Sequence, residues 1–107
     1  MGLALTDCLA YNITRSTLVA KYLVIHPLGT ELTLESGAPI GAAVKAGLTA
    51  DAYWTNSVYA RELGKLFCFW SAKDAASILQ VLADTAPDLP SEGPYELDLI
   101  VDSEDFR

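Results

Sequence analysis

The chain of 107 residues is 51% hydrophobic and only 20% charged, with a mean hydropathy of +0.27, which is more apolar side chain than a single small domain hides easily and so points to a homodimer. Fourteen Asp and Glu against seven Lys and Arg give a net charge of −7, a field that repels phosphate backbones and anionic membrane surfaces and leaves neither nucleic acid nor a membrane as an expected partner. No apolar run approaches the roughly 18 residues that span a bilayer, and two cysteines with one histidine match no standard zinc spacing, so no metal or cofactor is expected.

Residues 1–16 mix apolar residues with Thr6, Asp7, Asn12, Thr14 and Arg15 and read as an N-terminal extension of a kind that crosses to a partner subunit. Asp7 sits where a signal peptide needs apolar residues, so a cytoplasmic location is expected. From Thr17 the run through Leu23, Val24, Ile25 and His26 is apolar on both faces, and Pro27 closes it; this is a central strand. Leu32 to Gly37 reads as irregular. Ile40, Ala43 and Val44 then recur at helical spacing, with Pro39 suited to a first turn and Gly47 to a C-terminal cap. Gly41 inside that helix costs about 1 kcal/mol relative to alanine. It admits the close approach of a ligand, or else a tight helix-to-sheet contact.

Ala52–Ala60 is β-prone but polar at Thr55, Asn56 and Ser57, an edge strand. Arg61–Gly64 turns it into Leu66–Trp70, apolar at every position and therefore interior. Ser71 and Asp74 have the spacing of a capping box, and Ala75, Ile78, Leu79, Leu82 and Ala83 form one apolar helical stripe. Residues 85–94 hold three prolines and read as a loop. Tyr95, Leu97, Leu99 and Val101 alternate with Glu96, Asp98 and Asp102, the pattern of an edge strand with one buried face. An acidic tail follows at 103–107.

The order strand, helix, strand, strand, helix, strand predicts an α+β domain over 17–102. It is a ferredoxin-like βαββαβ antiparallel sheet with helices on one face, and its two doubly buried strands, the first and third, lie at the centre. A second copy packed on the uncovered face makes a dimeric α+β barrel. Either Leu66, Cys68 and Trp70 or Phe67 and Phe69 face the helices; the sequence leaves both open. A disulfide between Cys8 and Cys68 is not expected, because Cys68 lies in an interior strand.

The run from Gly64 to Ala75, Gly-Lys-Leu-Phe-Cys-Phe-Trp-Ser-Ala-Lys-Asp-Ala, with Lys21-Tyr22-Leu23-Val24 in the first strand, resembles a family of short ferredoxin-like proteins of unknown function that includes proteins called nickel-responsive-regulator-like. The resemblance covers roughly residues 21–102. It implies a dimeric α+β barrel and raises a nickel-binding or metal-responsive role.

His26 is the only imidazole in the chain. At the end of a central strand it is either a base or ligand at the mouth of a pocket between sheet and helices, or a strand-end histidine bonded to a loop carbonyl. Trp54, Tyr59 and Trp70, with Asn56 as a polar group, are candidates to hold a small apolar or aromatic ligand, with core and interface filling as the ordinary alternative. Cys68 among aromatics reads as an inert hydrophobe. Three functions follow in order: a small dimeric ligand-binding protein, a cofactor-independent oxygenase or isomerase of the dimeric α+β barrel type, and a metal-responsive protein.

Overall fold

The computed structural model describes residues 20–106; the N-terminal extension, Cys8 and the first residues of the expected first strand lie outside them. Four strands, β1 (Ala20–Pro27), β2 (Ala52–Ala60), β3 (Lys65–Ala72) and β4 (Glu92–Glu96), and two helices, α1 (Leu34–Ala46) and α2 (Ala75–Thr85), alternate as β1-α1-β2-β3-α2-β4. The sheet is antiparallel in the order β2-β3-β1-β4. This α+β arrangement is compatible with a ferredoxin-like fold, and β1 and β3 are its two inner strands.

The face question is settled by burial. Leu66, Cys68, Trp70 and Ala72 of β3 share a face with Tyr22, Val24 and His26 of β1, their antiparallel partners, and this is the face that the core occupies. Phe67 and Phe69 are half-buried on the other side with Leu23 and Ile25. Ser71 is on that side too, where Lys21 Nζ donates to its Oγ at 2.6 Å; it is a strand residue, not a helix cap.

Three expected boundaries move. Helix α1 begins a turn and more before Pro39, at Leu34, because Thr33 caps it: Thr33 Oγ1 accepts from Ser36 N–H while Ser36 Oγ accepts from Thr33 N–H, both at 3.0 Å. The reciprocal pair satisfies two otherwise orphaned donors, and Pro39 is accommodated inside the helix, where it withholds one rung on the exposed side. For α2 the cap is Asp74, whose carboxylate accepts from Ser77 N–H at 2.8 Å and from Ser77 Oγ at 2.7 Å. The buried stripe of α2 is accordingly Ile78, Val81 and Leu82, while Leu79 and Ala83 face solvent.

The largest shift is at the last strand. β4 starts inside the proline-rich segment, at Glu92, and ends at Glu96, pairing Leu23 with Tyr95 and Ile25 with Glu92 around a bulge. Pro94 is tolerated there because an outer strand has one unpaired edge. The alternating residues beyond it form no strand: Leu99, Ile100 and Val101 are largely exposed, and Ser103–Phe106 makes a single 3-10 turn. No helix among the described residues is long and apolar enough to cross a membrane.

Candidate functional site

The two helices cover the sheet unequally. α2 buries Ile78, Val81 and Leu82, whereas the thirteen residues of α1 bury only Val44; Leu34 at its start is 90% exposed. α1 therefore stands off the sheet over most of its length, and a cavity of about 660 Å³ opens beneath it. That volume is in the range of small-molecule sites. Gly37, Ala38 and Gly41 keep the helix side of the cavity shallow. At Gly41 a Cβ would lie 3.6 Å from the ring of Trp54, so the missing side chain faces the cavity's aromatic wall.

The floor is the helix-facing side of β1, β2 and β3. An unbroken strand would place Trp54 and Tyr59 on opposite faces, five residues apart. The β2–β3 register instead shifts between Trp54 and Asn56, so that Trp54 opposes Trp70, Ser57 opposes Cys68 and Tyr59 opposes Leu66. This bulge brings Trp54, Ser57 and Tyr59 together under α1. It also sends Asn56 to the other side, where with Thr55, Lys21 and Phe69 it borders a shallow depression closed by Leu97 and Ile100. Of the five candidate ligand residues, the cavity collects His26, Trp54, Tyr59 and Trp70; Asn56 is not among them. Ser57 takes its place. Nothing in an alternation count identifies Ser57, because the Thr-Asn-Ser run is uniformly polar and hides which residue is extra.

Most polar atoms around the cavity are already engaged. Trp54 Nε1–H donates to Ser57 Oγ at 2.8 Å, and Ser57 Oγ–H donates to Cys68 Sγ at 2.8 Å. Tyr59 Oη–H donates to the carbonyl of Gly29 and accepts from Leu32 N–H at 3.2 Å, which ties the loop entering α1 to β2. The same loop is held at its base, where Leu28 and Gly29 N–H both donate to Gly64 O at 3.0 Å. Gly64 has φ +65°, and a Cβ there would press on Gly29, so the tight approach calls for glycine. Arg61 stacks over the Tyr59 ring, 5.6 Å from its centroid, and donates to Thr30 O at 3.1 Å.

His26 is 2% exposed. Its Nδ1 lies 3.0 Å from the carbonyl of Pro90 and 3.0 Å from Ser91 Oγ. The Ser91 hydroxyl has an acceptor of its own in Leu89 O, at 3.2 Å, and a carbonyl only accepts, so Nδ1 carries the proton and donates. The lone pair is then on Nε2, which makes no hydrogen bond with the described residues and belongs to a ring lining the cavity. The loop-carbonyl contact expected of a strand-end histidine is present, and the same ring lines the cavity. Burial lowers its pKa, opposed by the Pro90 hydrogen bond, so the ring is neutral near pH 7. Burial likewise raises the pKa of the Cys68 thiol, against the Ser57 hydrogen bond; Cys68 is free and protonated. Among the described residues no three of His, Cys, Asp and Glu stand close enough to share a metal ion.

Trp70 differs from Trp54. It is 2% exposed, and its Nε1–H has no partner among the described residues. A buried donor without an acceptor costs about 1–3 kcal/mol.

No family model, curated protein or solved structure matches the chain. What it does is therefore argued from the cavity.

Proposed function

We propose that this protein binds a small, largely apolar ligand between α1 and the sheet, on a ferredoxin-like domain that dimerises through the sheet's uncovered face. The observation that carries the reading is the cavity itself. Ile40 remains 40% exposed above it, and a ligand that covered this residue and the apolar lining would gain about 25 cal/mol for each Å² of apolar surface removed from water. Dimerisation is supported by half-buried Leu23, Ile25, Phe67 and Phe69 together with exposed Val58 and Tyr53 on one side of the sheet, an apolar surface that a second copy would cover. A monomer in sedimentation at micromolar concentration removes that part of the proposal.

The binding reading is tested with benzophenone and a variant that fills the space. Ligand that binds only the folded chain raises the melting temperature. Benzophenone should do so for the natural protein and fail to do so for Gly41→Leu, whose side chain would project toward Trp54 while improving helix propensity. An equal shift in a folded Gly41→Leu variant, or no shift in either, overturns it.

One observation favours a second reading, a cofactor-independent isomerase or oxygenase: a neutral histidine whose Nδ1–H is fixed by a carbonyl presents Nε2 as a base to an apolar site. Its check is turnover of an enolisable aromatic ketone, followed as deuterium exchange. Exchange unchanged in His26→Gln takes the histidine out of the chemistry.

A further inference from the structure

Resting on the binding reading, we infer that the ligand is a fatty carboxylate, its alkyl chain lying under α1 toward Gly41 and Trp54 and its carboxylate meeting the guanidinium of Arg61 at the cavity mouth.

The inference comes from where charge stands around one cavity. The chain has 14 Asp and Glu against seven Lys and Arg, yet among the described residues no acid lines the cavity, and Arg61 is the one lining residue with a formal charge. Arg61 is exposed and held in place without being neutralised. It stacks over the Tyr59 ring and donates from Nη1 to Thr30 O at 3.1 Å, and among the described residues no carboxylate pairs with it. A guanidinium offers five N–H donors, so most of them are left for a ligand. The group that matches their planar fork, and its charge, is a carboxylate.

The rest of the cavity describes the tail. Arg61 follows the end of β2, close to Tyr59, which opposes Leu66; Trp54, toward the start of β2, opposes Trp70. From Leu66 to Trp70 is about 13 Å along β3. With carbon–carbon bonds of about 1.5 Å, a zig-zag chain of roughly ten carbons covers that length. The lining along it includes Leu32, Val44, Leu66 and Cys68, and the hydrogen-bonding groups of Trp54, Ser57 and Tyr59 are committed within the chain. A ligand that asks for no hydrogen bond along its length and carries its polar group at one end fits that distribution.

The test is titration calorimetry on the whole chain at pH 7 with hexanoate, octanoate and decanoate and, at constant chain length, with octan-1-ol and octylamine, which is protonated at that pH. Burial of two further methylenes should tighten binding about fifteenfold at each step of the acid series. Octanoate should bind about fivefold more tightly than octan-1-ol, the scale of an exposed ion pair, and octylamine should bind most weakly of the three, although a net charge of −7 favours the cation over the rest of the surface. In Arg61→Gln octanoate should lose its advantage while octan-1-ol keeps its affinity, and in the natural protein added salt should narrow the same gap. The comparison within the natural protein needs no variant to fold. Equal affinities for octanoate and octan-1-ol, tightest binding of octylamine, or an acid series that does not tighten with length overturns the inference and leaves the binding reading standing. Binding of benzophenone with none of the five bound does the same; no binding by any of them, benzophenone included, overturns both.

Discussion

Helices α1 and α2 lie over the same sheet face and have similar length, yet only one of them packs. α2 has its cap at Asp74, three buried residues in a row of helical neighbours, and no glycine or proline in its span. α1 has Gly37, Pro39 and Gly41 among its first eight residues and Val44 as its single buried residue. Apolar contact is the main source of helix stability in small proteins, so α2 belongs to the structural core and α1 to the roof of the cavity. The elements that a ligand orders or displaces are drawn from the weakly held parts of a fold, and α1 meets that description where α2 does not.

The contrast is broken most severely by emptying the packed helix. Ile78→Ala in α2, at a position with no exposed surface, should lower unfolding free energy by about 2–5 kcal/mol in urea titrations. Leu34→Ala at the start of α1 should stay within about 0.5 kcal/mol of the natural chain. Comparable losses at the two positions would mean that α1 is packed as firmly as α2.

A smaller and more discriminating pair is the same substitution at Gly41, which lines the cavity, and at Gly47, which does not. Gly47, at the C-terminal end of α1, abuts α2: a Cβ there would strike Cγ2 of Thr85, whose hydroxyl is committed to Val81 O at 2.7 Å. Gly47→Ala should therefore destabilise, by about 1–3 kcal/mol as overpacking usually does. At Gly41 a methyl group makes only an ordinary contact with Trp54, and Gly41→Ala should stabilise by about 0.5–1 kcal/mol through helix propensity. Thermal midpoints moving in the same direction for both would remove the distinction between the open stretch of α1 and its closed C-terminus.

The smallest effect expected is on pH dependence. Burial holds the pKa of His26 below its ordinary value of 6.5, so between the folded value and 6.5 the unfolded chain binds the proton more readily. Stability from this site is complete above pH 6.5 and is lost as pH falls toward and through the folded value. The urea midpoint should decline in that window for the natural protein, and His26→Gln, which keeps a donor for Pro90 O but does not titrate, should flatten that part of the profile.

Much of the fold was legible in the sequence, and the reasons are local. β1 and β3 are apolar on both faces, which marks interior strands, and the Arg61–Gly64 turn between β2 and β3 is too short for anything but antiparallel neighbours. The misplaced elements are those in which a polar side chain overrides the hydrophobic pattern. Thr33 with Ser36 starts α1 early because a serine stands in for the glutamate of the usual capping box, and Asp74 takes the cap of α2 once Lys21 engages Ser71 across the strands. β4 is a different case: Tyr95, Leu97, Leu99 and Val101 alternate as a strand should, but pairing to β1 holds only as far as Glu96. The candidate site was legible as a set of aromatics and one histidine. Its membership was not, because a bulge changes which residues share a face, exchanging Asn56 for Ser57. Nor does a sequence reveal that one tryptophan Nε1–H is bonded and the other is not.

The most direct test of the central claim, that the space under α1 is a ligand site, is a nitrogen–proton correlation spectrum recorded with benzophenone. At saturation the indole N–H resonance of Trp54, assigned with Trp54→Phe, and the amides of Gly41 and Ser57 should shift, because all three residues border the cavity. Resonances of those residues that stay in place, with the changes confined to amides of Phe67, Phe69 and their neighbours on the opposite face, would contradict the account.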